Sequence, residues 1–300
     1  MRQAFAGSVV LLLTLAIQAC NHSPQAKVVA ADGALCDITR RLAAGDLQVS
    51  CLLGPEDDPH QLQLTPQQTR QIRQAQLVLI NGYGLTPALE RLPNTLKVAE
   101  LAAPNSPSVS GHDRDPHVWH DPQQAAAMVK LVGRQLEQLD PQAAPAIKAR
   151  AAAMQGELGA LDTWNRAQFK TIPAPRILAS SHRGFASLAR AYRLEELPVI
   201  DASSASETLR PQTLASVVNR LRSTGVRSLF SEQTPASPSL QRISSLSGVP
   251  LANRPLLADA AGDNLMVTLT ANTCLIVDAL AGQCDQGGAA TLVKRWDAIR

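Results

Sequence analysis

Aromatic side chains are scarce in this 300-residue chain, which has three Trp, two Tyr and four Phe. Together with its alanine-rich segments, this favours a helix-heavy α/β protein over a β-sandwich. Charge of either sign is also weak. Lys and Arg total 28 against 25 Asp and Glu, a formal net charge of +3. No basic run or aromatic-studded basic stretch is present, so nucleic acid is excluded as a partner. No apolar run reaches the length of about 18 residues that a membrane-spanning helix needs. The 20 prolines and 17 glycines follow no period, which excludes collagen-like and low-complexity chains. No Cys-x-x-Cys or Cys-x-x-His spacing offers a thiolate metal site. What remains is length. At about 150 residues per domain it gives two domains, each large enough to bury a core.

The amino terminus is unlike the rest. Arg2 and the terminal amine precede a short apolar stretch from Ser8 to Ile17, and Ala19 stands before Cys20, the layout of a cleaved export signal. Ile17-Gln18-Ala19-Cys20 resembles a bacterial lipobox. Residues 1–19 are therefore expected to be a signal peptide, with Cys20 the lipidated first residue of a tether over 20–26. His22 belongs to that tether. The expected location is the periplasmic or cell-surface face of the membrane. Export suits disulfides. Of the three connectivities open to Cys36, Cys51, Cys274 and Cys284, the pairing Cys36–Cys51 with Cys274–Cys284 keeps each bridge within one end of the chain. Buried free thiols are the alternative.

Apolar runs and helical stretches alternate along the body. Leu47–Leu53, Leu77–Ile80 and Lys97–Leu101 read as strands in the first half. Arg176–Ala179, Leu197–Ile200, Ser228–Ser231 and Pro250–Ala252 read as strands in the second. Arg210–Ser223 and Asp263–Leu280 read as helices, stopped by Gly225 and Gly282. Interleaved strands and helices imply parallel sheets. The middle carries almost no strand signal. Asp121-Pro122 supplies an N-cap and a first-turn proline. Ala125, Met128, Val129, Val132, Leu136 and Leu139 then form one helical stripe. A second stripe of Ile147, Ala151, Met154, Leu158 and Leu161 follows, so one helix from about Pro145 to Phe169 is expected to act as a strut. The expected architecture is α/β: two lobes, each with a mostly parallel sheet flanked by helices, over 27–140 and 172–300, joined by one long rigid helix within 141–171.

Three of the six histidines stand shortly after strands or at a loop–helix junction. His60 lies in Asp57-Asp58-Pro59-His60, His117 in Asp115-Pro116-His117-Val118-Trp119, and His182 in Ser180-Ser181-His182-Arg183-Gly184-Phe185. Loops after strand C-termini face the binding crevice of open α/β sheets. Three imidazoles need a fourth donor to close a tetrahedral zinc site. Asp259, after the apolar run Leu256-Leu257-Ala258, can supply it while reducing the charge of the loaded site.

These segments resemble the zinc/manganese-type metal-binding proteins (cluster A-I) of bacterial ABC importers. The resemblance is carried by Asp58-Pro59-His60 with Leu64-Thr65-Pro66, by Asn81-Gly82-Tyr83-Gly84-Leu85, and by Asp115-Pro116-His117-Val118-Trp119. It continues through Ser181-His182 with Phe185 and Tyr192, and Asp259-Ala260-Ala261-Gly262. It implies a solute-binding protein and not an enzyme, a monomer that delivers a metal ion from the inter-lobe cleft to a membrane permease. His60, His117, His182 and Asp259 match the four ligand positions. Manganese-type members carry a carboxylate where this chain has His182, so imidazole there favours zinc, with manganese or iron as the alternative. Two departures stand out. The loop before His117, roughly Pro104 to Arg114, is short and holds only His112 and Asp113. Position 120, commonly apolar in the family, is His120, a candidate auxiliary donor, a ligand-orienting residue or a solvated one. Glu232 is a candidate for orienting a ligand imidazole. If it served instead as a general base, the site would suit a zinc hydrolase, but no His-Glu-x-x-His motif supports that class.

Overall fold

A computed structural model of the protein describes residues 27–54, 57–92, 94–110, 113–200, 211–259 and 264–300. The expected signal peptide, Cys20, His22 and His112 lie outside the described residues.

Four short strands form the first sheet: β1 (Lys27–Ala30), β2 (Gln48–Cys51), β3 (Leu77–Ile80) and β4 (Thr95–Lys97), all parallel in the order β2-β1-β3-β4. β1 is an inner strand, and Val28, Val29 and Ala30 are buried, as in a parallel sheet covered on both faces. Helices α1 (Gly33–Ala43), α2 (Pro66–Gln74) and α3 (Val98–Ala102) connect or follow these strands. The run Lys97–Leu101, expected as a strand, is corrected. Lys97 ends β4 and the remainder turns into α3, with the Ala99 amide donating to the Asn81 carbonyl at 2.9 Å. A short apolar run fits a buried helical turn as well as a strand, and its tertiary surroundings decide. β5 (Ser108–Ser110) and β6 (Asp113–Arg114) then form an antiparallel pair.

Two long helices follow. α4 (Pro122–Leu139) starts as expected, with the Asp121 carboxylate accepting from the Gln123 amide at 3.0 Å and Pro122 in the first turn. α5 (Ala144–Lys170) has 27 residues, about 40 Å of rod at 1.5 Å per residue. Beyond it, β7 (Ile177–Ser180) precedes α6 (Ala186–Tyr192) and β8 (Glu195–Glu196). α7 (Pro211–Thr224), β9 (Leu229–Phe230), α8 (Pro238–Ser247), α9 (Leu265–Ala279) and α10 (Gln286–Asp297) complete the chain. The second sheet is parallel, in the order β8-β7-β9, and Leu251 adds a bridge beside Leu229. The run Leu197–Ile200, expected as a strand, is corrected: the strand is Glu195–Glu196, and the run lies just beyond it, its Leu197, Val199 and Ile200 amides still reaching the Leu178, Ser180 and Ser181 carbonyls at 2.9 Å. Both expected disulfides, Cys36–Cys51 and Cys274–Cys284, are formed.

The cores show how the two halves are held. α5 gives Ile147 through Leu161 to the first core and Phe169 to the second. α9 crosses as well, with Leu265, Met266 and Leu269 in the first core and Leu275, Ile276 and Val277 in the second, where Leu280 just past the helix joins them. α10 adds Leu292 and Trp296 to the first. Two helices therefore span the halves where one was expected, and a buried network joins them. Thr273 in α9 donates to Asn165 in α5 at 3.0 Å, and Asn165 donates to the Tyr192 hydroxyl at 3.0 Å. Tyr192 donates in turn to Asp162 at 3.1 Å. Asp37 in α1 fixes the other end of α9 by accepting from the Leu265 amide at 3.0 Å and from Trp296 Nε1 at 2.9 Å.

Candidate metal centre

Each candidate donor is set by local chemistry. His60 sits in a single 3-10 turn, Pro59–Gln61, whose cap is the Asp58 carboxylate accepting from the His60 amide at 2.8 Å. The Asp115 carboxylate does the same for the His117 amide at 2.9 Å, just before the turn Val118–His120 that leads into α4. His182 stands two residues past the end of β7, and its amide donates to Glu232 at 3.1 Å. Asp259 ends a segment tied to the second sheet by the Leu256 amide and Ser231 carbonyl, 2.8 Å apart. Gly184 matters here because a Cβ would stand 3.0 Å from both the His182 ring and the Ala258 methyl.

These loops bring His60, His117, His182 and Asp259 together, with one ligand atom from each inside a 4.8 Å span. The Asp259 carboxylate lies 2.8 Å from His117 Nε2, 3.3 Å from His60 Nε2 and 3.5 Å from His182 Nε2. Tetrahedral zinc with bonds of about 2.0–2.1 Å separates its ligands by about 3.3 Å, so the spacing suits one small cation. His60 Nε2 and His182 Nε2 are buried without a hydrogen bond, a cost that a bound ion removes. Exposure is uneven: the His117 and His182 side chains are 1% and 2% exposed, and those of His60 and Asp259 are 13% and 17%. The cluster opens at His60 and Asp259.

Carboxylates stand behind two of the imidazoles. Asp115 lies 3.0 Å from His117 Nδ1, and its other oxygen accepts from the Ser187 amide in α6 at 2.8 Å. Glu232 pairs with His182 Nδ1. That fixes which nitrogen faces the cluster and makes it a stronger donor. Burial alone would push the His117 pKa down, but Asp259 and Asp115 outweigh it and raise it to about 10. Burial would raise Asp259, yet His117, His60 and His182 hold it well below the usual carboxylate range. Asp115 falls to about 2 because His117 and Ser187 outweigh its burial. His182 is raised because Glu232 overcomes burial. Without a cation, a proton on His117 balances the carboxylates.

The other candidates separate from the cluster. His120 is buried, not solvated, and its Nε2 lies 3.0 Å from the Ala258 carbonyl instead of facing the four donors. Burial and the neighbouring His117 push its pKa down to about 4. Glu232 stands behind His182, as a residue that orients a ligand does. Three contributors escape the sequence reading: Asp115, Gly184, and Asn272 of α9, whose amide bonds both backbone groups of Leu257. Asp115 carried a signal, since it occupies the same place before His117 that Asp58 occupies before His60.

Residues 28–279 match the family model described as zinc-uptake complex component A, periplasmic. The zinc-binding protein TroA of Treponema pallidum is 30% identical over 189 residues, covering 60% of this chain and 61% of that protein's length. Its solved structure superposes with a TM-score of 0.79, at 25% identity, covering 86% of this chain and all of that one. The manganese ABC transporter substrate-binding lipoprotein PsaA of Streptococcus pneumoniae is 25% identical over 247 residues, 77% of this chain and 79% of that protein. The structure of Fe(III)-bound YtgA from Chlamydia trachomatis matches in fold, with a TM-score of 0.79 at 24% identity, covering 87% of this chain and all of that one. Relatives in sequence thus include proteins named for zinc and for manganese. Among the described residues no helix is long and apolar enough to cross a membrane.

Proposed function

Because the chain belongs to the family of periplasmic zinc-uptake complex component A proteins, we propose that it captures zinc outside the cytoplasm and hands it to the permease of an ABC importer. The observation that carries the reading is the donor set: three imidazoles and one carboxylate, with one ligand atom from each within 4.8 Å. Nitrogen-rich sites hold zinc more tightly than manganese or iron(II) in the general affinity order. His60, His117, His182 and Asp259 act as the ligands, and the ion is cargo, not a catalyst. The chain is accordingly a binding protein without bond-breaking chemistry. Glu232, the base a hydrolase would need, is occupied by the back of His182.

Loading requires His117 to give up its proton, so capture is an exchange of a proton for a dication. Release to the permease starts at the more exposed edge, His60 and Asp259. α5 and α9 both span the halves, which confines the motion to loops and small tilts. Export and a lipid on Cys20 would keep the protein beside its permease, where it acts as a monomer. A Cys20→Ser variant is expected to leave the membrane fraction.

The test is a titration of the chelator-stripped protein with zinc, manganese and iron(II) against a competing chelator. One ion per chain and tightest binding for zinc are expected, with loss in His60→Ala, His117→Ala and His182→Ala. Tighter binding of manganese would move the protein to the manganese branch, and undiminished binding in all three variants would end the metal reading.

A further inference from the structure

The peptide leading to Asp259 is fixed from two sides. From α9, Asn272 donates through Nδ2 to the Leu257 carbonyl at 2.7 Å and accepts through Oδ1 from the Leu257 amide at 3.0 Å. From the opposite half of the molecule, His120 places Nε2 at 3.0 Å from the Ala258 carbonyl, one residue before Asp259. A carbonyl only accepts, so Nε2 carries the hydrogen. The His120 ring is 1% exposed and lies between Trp119 and Phe185, with ring centroids 5.5 Å and 4.8 Å away. Its Nδ1 is buried without a hydrogen bond. Packing alone does not call for an imidazole there, because an apolar side chain would fill the space without an orphaned nitrogen. The one bond that distinguishes histidine from such a residue goes to the segment carrying the fourth ligand.

We propose that His120 is a positioning residue for the metal, holding Asp259 at coordinating distance through the Ala258 carbonyl while Asn272 secures the same segment from behind. The proposal rests on the reading of the four-residue cluster as a zinc site. His120 does not touch the ion in this arrangement. It keeps the partly exposed carboxylate from swinging out, so its effect falls on how fast the ion leaves.

Zinc dissociation from the mature protein into excess chromophoric chelator tests this. His120→Phe keeps a ring between Trp119 and Phe185 but loses the donor, and dissociation is expected to be about 10- to 100-fold faster, as for other groups that orient ligands. His120→Gln, which restores a donor near the Nε2 position, is expected to stay near the parent rate. The Phe effect should vanish in an Asp259→Ala background, since a residue acting through Asp259 is not additive with its loss. If His120→Phe leaves the rate unchanged, if Gln is as fast as Phe, or if the effect persists in full without Asp259, the positioning role is overturned. A parent protein that binds no zinc defeats the underlying site reading instead. Should the Phe variant fail to fold, His120→Leu makes the same comparison.

Discussion

The chain contains the tripeptide Asp-Pro-His twice, and the two copies do different work. In both, the carboxylate accepts from the histidine's own amide, at 2.8 Å for Asp58 and 2.9 Å for Asp115. There the likeness ends. Asp58 spends its second oxygen on the Gln61 side chain at 2.9 Å. Asp115 lies 3.0 Å from the His117 ring and accepts from the Ser187 amide of α6 at 2.8 Å. The difference comes from what packs behind each turn: α6 closes over Asp115 and excludes water, whereas Asp58 stands near the mouth of the cluster. One local motif thus yields one donor locked in ring orientation and one held mainly through its backbone.

The largest expected effect is removal of a donor. Four-ligand zinc sites bind with roughly 10–16 kcal/mol, about 2.5–4 kcal/mol per ligand, so one alanine should weaken zinc binding on the order of 100- to 1000-fold. His117→Ala should exceed His60→Ala by on the order of tenfold, the usual weight of a group that orients a ligand. Chelator competition on both variants measures this, and equal losses would erase the distinction between the copies.

Next come the carboxylates. Asp115→Asn cannot accept at both of its partners, and zinc affinity is expected to drop about 10- to 100-fold. Asp58→Asn keeps a good capping side chain and should stay within about twofold of the parent. Similar losses in the two variants would mean that Asp58 also steers its ring.

Proton competition sharpens the contrast further. The His117 pKa rises from 6.5 to about 10 in the metal-free fold. A raised histidine pKa stabilises the fold fully below the unfolded value, and that stabilisation is lost as pH rises through the folded value. Asp115 has the opposite sign. Lowered from 3.8 to about 2, it stabilises above 3.8 and loses this as pH falls through 2. The melting temperature of chelator-treated protein should therefore decline between pH 6.5 and pH 10. Zinc-saturated protein should lack that decline, because the ion takes the place of the proton. Parallel curves with and without zinc would place His117 away from the ion.

Much of this was legible in the residues themselves. Three histidines after strands or at a loop–helix junction and an acidic residue after an apolar run are local features, and the structure brings all four together. The amphipathic stripes gave α4 and α5 nearly to their ends because a helical period repeats over many residues. β1 carries little local signal: it is four residues long, Lys27–Ala30, and its role as an inner strand depends on β2 and β3 pairing with it. Lys97–Leu101 misled because apolarity without a period fits either element. Asn272 and the crossing of α9 were hidden for a related reason. Leu257 and Asn272 are 15 residues apart, and only the packed fold shows that one holds the other.

The smallest loss expected of an alanine variant bears most directly on what Asp58 does. Asp58→Ala removes the cap of the His60 turn, and the loss of such a cap costs typically about 1 kcal/mol, or roughly fivefold in affinity. The His60 turn is three residues long and half open to water, so most of that cost should appear in zinc binding. The melting temperature of the metal-free protein should barely move. Asp115→Ala should instead lower both, since it strips the Ser187 amide of its acceptor inside the core and leaves His117 free to turn. Zinc competition and thermal unfolding on the two alanine variants separate these outcomes. A metal-free Asp58→Ala protein that melts as early as Asp115→Ala would show that the His60 turn is part of the core fold and not an adjustable arm at its entrance.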